Sequence, residues 1–210
     1  MITLLINDPV AEEWATDQTV FGGRPSAPQG RLMWPACKTC GGAMQFLGQL
    51  RVDAPPAQPE LLLLFMCRNK PGMCSEWHAD AGGNAVLVVG TDHLQLVEPP
   101  AQAQKSLRAI RYGAKLLPIE EAPDYESAAA GWADATGIDL RQLLGQMSDS
   151  PAWVEYEEIP TCDACGEPMQ FVAQLEQGPE RKTEMNFGGG WAYVFRCTCA
   201  ARRGKMLWQC

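Results

Sequence analysis

The run Cys37-Lys38-Thr39-Cys40-Gly41-Gly42-Ala43-Met44-Gln45-Phe46-Leu47-Gly48-Gln49-Leu50 returns 125 positions later. The second copy is Cys162-Asp163-Ala164-Cys165-Gly166-Glu167-Pro168-Met169-Gln170-Phe171-Val172-Ala173-Gln174-Leu175, identical at eight of the fourteen positions. Leu47 and Val172 form a further similar apolar pair. Internal similarity of this kind marks a duplicated unit. The likeness spreads outward. Pro35 and Pro160 each stand two residues before the first cysteine, and Gly22-Gly23-Arg24-Pro25 is answered weakly by Ser148-Asp149-Ser150-Pro151. Downstream, Leu62-Leu63-Leu64-Phe65-Met66-Cys67 is answered by Trp191-Ala192-Tyr193-Val194-Phe195-Arg196-Cys197. Each copy therefore reads as a paired-cysteine turn, a strand, a loop, an apolar strand and a second cysteine turn.

Cys-x2-Cys pairs on turns are the usual donors to structural zinc, which takes four ligands in a tetrahedron. Glycine directly after each pair, Gly41 and Gly166, permits the tight backbone such a turn needs. The first set is Cys37, Cys40, Cys67 and Cys74, with His78 as the alternative fourth ligand. The second is Cys162, Cys165, Cys197 and Cys199. The spacing of Cys67 and Cys74 is wide, and that of Cys197 and Cys199 narrow. Two structural Zn2+ per chain are expected. A redox pair, buried unligated thiols and iron–sulfur ligation are the competing readings. Cys210, the odd cysteine among nine, reads as a free thiol.

Period-two patterns and β-branched or aromatic content predict strands at Met44 to Leu50, Leu61 to Met66, Ala85 to Val89, Met169 to Leu175, Trp191 to Arg196 and Lys205 to Gln209. The prolines at Pro55 and Pro56 predict a loop over 54–59. Between the copies the character changes. Helical patterns run over Lys105 to Leu117, Ser127 to Ala135, and Leu140 to Met147 with Asp139 as N-cap. The expected fold class is α+β, mainly β. It has a first half with its zinc site at 1–97, a helical and loop connector at 98–147, and a second half with its zinc site at 148–210, packed as one body.

A hydrophobic fraction of 46% with 20% charged residues is that of a globular chain rather than a disordered one. No apolar run nears the roughly 20 residues that span a bilayer. The N-terminus lacks a basic start and a long apolar stretch, so a cytoplasmic location is expected. In a reducing compartment, metal explains the cysteines better than disulfides do. A net charge of −8 argues against nucleic acid, whose binding needs Lys and Arg on phosphates. It favours a basic protein partner or plain solubility.

Gly22-Gly23-Arg24-Pro25, the Cys37 to Leu50 run and Phe65-Met66-Cys67-Arg68-Asn69 resemble the programmed cell death protein 2 family. Pro151-Ala152-Trp153-Val154, the Pro160 to Leu175 run, Phe187-Gly188-Gly189-Gly190-Trp191-Ala192-Tyr193-Val194-Phe195 and Leu207-Trp208-Gln209 look like the bacterial YwqG-like family of uncharacterised proteins. The resemblance implies a non-enzymatic protein. Eukaryotic relatives are chaperones for a basic small-subunit ribosomal protein, and some bacterial ones look like neighbours of toxin genes. Closed thiolate sites leave no open metal position, and no phosphate loop or Ser/His/Asp set is legible. The expectation is a zinc-binding, non-enzymatic protein-interaction module, chaperone-like toward a basic client. An immunity protein neutralising a toxin, or an enzyme, are the alternatives. The exposed-looking acidic stretches Glu120 to Glu126 and Glu155 to Glu158 are candidate contacts.

Overall fold

The computed structural model describes residues 1–9, 15–53, 58–101, 103, 110–148, 150–180 and 184–210. Most of the expected loop at Pro55-Pro56, the first part of the expected helix from Lys105, and Asp149 lie outside these residues. Twelve strands are described: β1 Ile2–Asp8, β2 Val20–Phe21, β3 Ser26–Pro28, β4 Gln45–Val52, β5 Glu60–Met66 and β6 Asn84–Gly90, then β7 Leu94–Leu96, β8 Tyr112–Ile119, β9 Leu143–Met147, β10 Gln170–Leu175, β11 Trp191–Arg196 and β12 Arg203–Gln209. Ten of them close an antiparallel barrel in the order β1-β8-β2-β4-β5-β6-β12-β11-β10-β9, and β3 pairs with β7 outside it. The single described helix, α1, spans Tyr125–Thr136.

The barrel is filled by side chains. Along β5, Leu62, Leu64 and Met66 point inward, while Leu61, Leu63 and Phe65 point outward into a second cluster. The same alternation sends Ala192 and Val194 of β11 inward, with Tyr193 and Phe195 outward. Both faces of these strands are covered, which is why they read as unbroken apolar runs instead of alternating ones. The outer clusters carry the cysteines, one set in each. A third outer cluster seats α1 through Tyr125, Ala128, Ala129 and Trp132 against Leu4 and Leu143.

The pairing pattern runs round the barrel twice. Val20 and Phe21 of β2 face Gln49 and Gly48 of β4; Gln146 and Met147 of β9 face Gln174 and Ala173 of β10. A bulge falls between Phe46 and Gly48 in β4, and again between Phe171 and Ala173 in β10. The similar apolar pair Leu47/Val172 is thus the bulged residue of each copy. The outermost strands cross over: β8 flanks β2, and β1 flanks β9. β1 and β8 then pair with each other from Ile2↔Ile119 to Asp8↔Gly113.

The six expected strands are present, as is a helix over Ser127 to Ala135. The connector reading of 98–147 is corrected, because this segment supplies two barrel strands. Tyr112 to Leu117 is strand β8, not helix. Pro118 disfavours helix in the residue before it, and seven residues of β1 complete its ladder. Leu140 to Met147 is also not a helix. A 3-10 turn at Leu140–Gln142, capped by Asp139, leads directly into β9. Gly145 decides the matter: its φ of +128° is not helical, and a Cβ there would lie 1.9 Å from the Gln174 carbonyl oxygen. No helix among the described residues is long and apolar enough to cross a membrane.

Candidate metal centres

Both paired-cysteine turns have one backbone geometry. The Cys37 N–H donates to Gly42 O at 2.9 Å, the Gly41 N–H to Cys37 O at 2.8 Å and the Met44 N–H to Pro35 O at 2.9 Å. In the second copy the Cys162 N–H donates to Glu167 O at 2.9 Å, the Gly166 N–H to Cys162 O at 2.8 Å and the Met169 N–H to Pro160 O at 2.9 Å. Gly41 and Gly166 have φ of +70° and +77°. A Cβ at either would touch nothing within 4 Å, so glycine is required for its backbone freedom rather than for space. The prolines before each pair supply the carbonyl that anchors the exit into the strand.

The second pairs arrive by different routes. Cys67 directly follows β5, and its N–H donates to Gly83 O at 2.8 Å. The wide loop to Cys74 is held from inside by Glu76, which is only 3% exposed. Glu76 accepts from the Cys74 N–H at 3.0 Å and from the Gly72 N–H. Asn84 at the start of β6 ties this loop down by donating to the Glu76 and His78 carbonyls at 2.9 and 3.2 Å. Cys197 and Cys199 occupy the hairpin between β11 and β12. The Cys197 N–H donates to Arg203 O at 2.7 Å, and the Arg202 N–H to Cys199 O at 3.0 Å.

Each expected set converges. The four Sγ atoms of Cys37, Cys40, Cys67 and Cys74 lie within 4.8 Å of one another, as do those of Cys162, Cys165, Cys197 and Cys199. Cys40 and Cys67 stand 3.7 Å apart, Cys165 and Cys197 3.5 Å, and Cys162 and Cys199 3.9 Å. A disulfide needs about 2.05 Å, and all nine cysteines are free. A tetrahedron with metal–sulfur bonds of about 2.3 Å has edges of about 3.8 Å. The thiol spacing matches that figure. His78 is not in the first cluster; its Nδ1 accepts from the Asp80 N–H at 3.0 Å. Cys210 is exposed and belongs to neither cluster.

N–H groups already point at the sulfurs. The Asn69 side-chain amide lies 3.4 Å from Cys67 Sγ and 3.6 Å from Cys40 Sγ. In the second cluster the Ala164 and Cys199 backbone N–H groups each lie 3.4 Å from a sulfur. The Gly42 backbone brings Cys40 down to about 7, and the Ala164 N–H does the same for Cys162. Burial pushes the thiols of Cys67 and Cys74 up. For Cys197 the Cys199 N–H favours the thiolate, but the neighbouring thiols and burial outweigh it and raise the group to about 12. Each cluster thus has one readily ionised thiol, Cys40 or Cys162, while Cys67 and Cys74 in the first and Cys197 in the second resist ionisation. A bound dication removes that resistance.

The two clusters are linked across the β6–β12 seam. Lys205 of β12 is only 7% exposed, and its ammonium donates to Asp163, at 2.7 Å, and to Asp80. Asp163 lies inside the second cysteine turn; Asp80 lies in the chain joining Cys74 to β6. Burial disfavours the ammonium, yet these two carboxylates hold it above the usual lysine value. Lys205 opens an expected strand, but its two carboxylate partners lie 125 and 42 residues away in the chain, and no local pattern announces them. Asn69 and Glu76 were equally invisible, because their roles arise only once the cysteine loops are folded.

Fold and site together define a closed β-barrel that carries two four-thiol clusters on its outside, each suited to a metal ion. No protein-family model matches the chain. The chain is 36% identical over 63 residues to the uncharacterised protein YpfL of Salmonella typhimurium, a match covering 30% of this chain and 14% of that protein.

Proposed function

We propose that each cluster binds one structural zinc ion and that the chain is a cytoplasmic, non-enzymatic protein-interaction module built from one duplicated zinc-bearing unit. The observation that carries the metal reading is the sulfur spacing of 3.5 to 3.9 Å, which fits a tetrahedral ion. Four protein thiolates fill the zinc coordination sphere and leave no position for water or substrate, so the metal acts on folding and not on chemistry. Cys37, Cys40, Cys67 and Cys74 hold the first ion; Cys162, Cys165, Cys197 and Cys199 hold the second. Elemental analysis of the purified chain is expected to give about two zinc per chain, and chelation is expected to lower the thermal midpoint. A folded, metal-free chain with every thiol titratable would overturn it.

The interaction reading is supported by the net charge of −8 and by exposed carboxylates at Glu120, Glu121, Glu126, Glu155 and Glu157. The partner it fits is a basic protein held in a chaperone-like way, which is also what the resemblance to the programmed cell death protein 2 and YwqG-like families implies. Affinity purification followed by mass spectrometry is expected to recover a basic protein whose solubility depends on this chain. Recovery of acidic proteins alone would count against it.

A further inference from the structure

A cleft of about 690 Å³ opens beside α1, bounded by the turn before β9 and by the chain leaving β10. None of the eight clustered cysteines lines it. Its volume lies in the range of small-ligand sites, about 300 to 1,000 Å³. Two aromatic rings line it, Tyr125 and Trp191, edge to face at 85° with centroids 5.7 Å apart. Glu176, the residue after β10, is held by both. The Tyr125 hydroxyl donates to Glu176 Oε1 at 2.9 Å, and the Trp191 side chain hydrogen-bonds the same carboxyl. Its backbone is fixed as well, with the N–H donating to Leu144 O at 2.9 Å. Ala129, Leu140 and Leu143 supply apolar wall, and Leu140 is 51% exposed although it adjoins a buried cluster.

We propose that this cleft binds an alkylammonium or alkylguanidinium group, with the cation against Glu176 and the two rings and the aliphatic stem along Leu140 and Leu143. A carboxylate partly withdrawn from water is destabilised until a counter-charge arrives. Burial lifts the Glu176 carboxyl above its ordinary range, outweighing the hydrogen bonds from Tyr125 and Trp191 that favour its charged form. Aromatic rings add attraction for a cation, and apolar walls accept methylene groups that a bare metal ion could not use. Among the described lining residues, the one arginine is Arg141. Arg141 is exposed, where solvent screens its repulsion of a bound cation.

The cation can come from a free amine or from a lysine or arginine side chain of a polypeptide, and the site does not rest on the protein-interaction reading above. Calorimetric titration of the full chain with agmatine, and separately with an acetylated and amidated Ala-Arg-Ala peptide, tests both sources. Saturable binding is expected for at least one probe. Agmatine binding alone assigns the site to free amines, and tighter binding of the peptide assigns it to polypeptides. Glu176→Gln keeps an acceptor for Tyr125 and is expected to weaken binding at least tenfold with an unchanged thermal midpoint. Asp92→Asn, at an exposed acid outside the cleft, is expected to leave binding unchanged. Leu140→Asn is a second variant, expected to weaken binding through the stem. Absence of saturable binding by both probes, or equal binding by the Glu176→Gln and parent chains, overturns the proposal.

Discussion

Gln49 and Gln174 hold matching places in the two copies and make matching bonds. Both are fully buried. Gln49 Oε1 accepts from the Ser26 N–H at 2.9 Å, and Gln174 Oε1 accepts from the Ala152 N–H at 2.9 Å. Each glutamine pins the chain arriving from Pro25 or Pro151, which explains why the weak upstream likeness exists. Gln174→Leu deprives a backbone donor of its partner and is expected to cost about 1–3 kcal/mol in urea unfolding. The cysteines were legible because paired ligands on one turn are a local pattern. The glutamines were visible as a repeat, but their role was not, since the partner comes from 22 or 23 residues upstream. The choice of Cys74 over His78 in the first cluster needed the folded loop. His78→Ala is expected to keep the parent metal content, whereas Cys74→Ser is expected to lower it to about half, read by elemental analysis.

Among the elements, those with a strong local signature were legible and those defined by distant pairing were not. β5 and β11 announce themselves as apolar runs, and α1 carries both of its stops. Asp124 accepts from the Ser127 N–H at 2.7 Å, and Gly137, in the left-handed region, donates to Ala133 O at 2.8 Å. Asp124→Ala is expected to cost about 1 kcal/mol by loss of this cap, seen as a lower thermal midpoint with the barrel core intact. β9 was misread because Leu140, Leu143, Leu144 and Met147 imitate a helical stripe across a turn and a strand. Only the close approach of Gly145 to β10 shows otherwise. β1 and β8 are stabilised chiefly by each other, across more than half of the chain, and no local window contains that information.

For the whole molecule, the connection that matters most is Lys205. It joins loops belonging to different cysteine clusters and lies beside the shortest ladder between long strands of the barrel, where β6 and β12 share only the pairs Arg203↔Leu87 and Gly204↔Val86. Lys205→Met is expected to cost about 1–2 kcal/mol. The figure is modest because Asp80 and Asp163 are 52% and 75% exposed and regain water when the ammonium leaves. Thermal unfolding at low and high salt checks it, with the loss shrinking as salt rises. If both clusters hold zinc as proposed, the same variant is expected to release it from both faster, measured with a chromogenic chelator, because each loop loses one tether.

The crossing of β1 into the neighbourhood of β9 also sets an order of events during synthesis. β1 is translated before its barrel partners, β8 and β9, which begin at Tyr112 and Leu143. The cysteines of the first cluster, Cys37 to Cys74, all precede both partners in the chain. On the proposed metal reading, a nascent chain therefore reaches a stage at which one centre can be complete while Ile2-Thr3-Leu4-Leu5-Ile6 still seeks a neighbour. Unpaired apolar strands are what holdase chaperones engage and what drives misassembly. Early metal capture would then serve as a checkpoint, anchoring the nascent body until the late strands arrive to take up the first one.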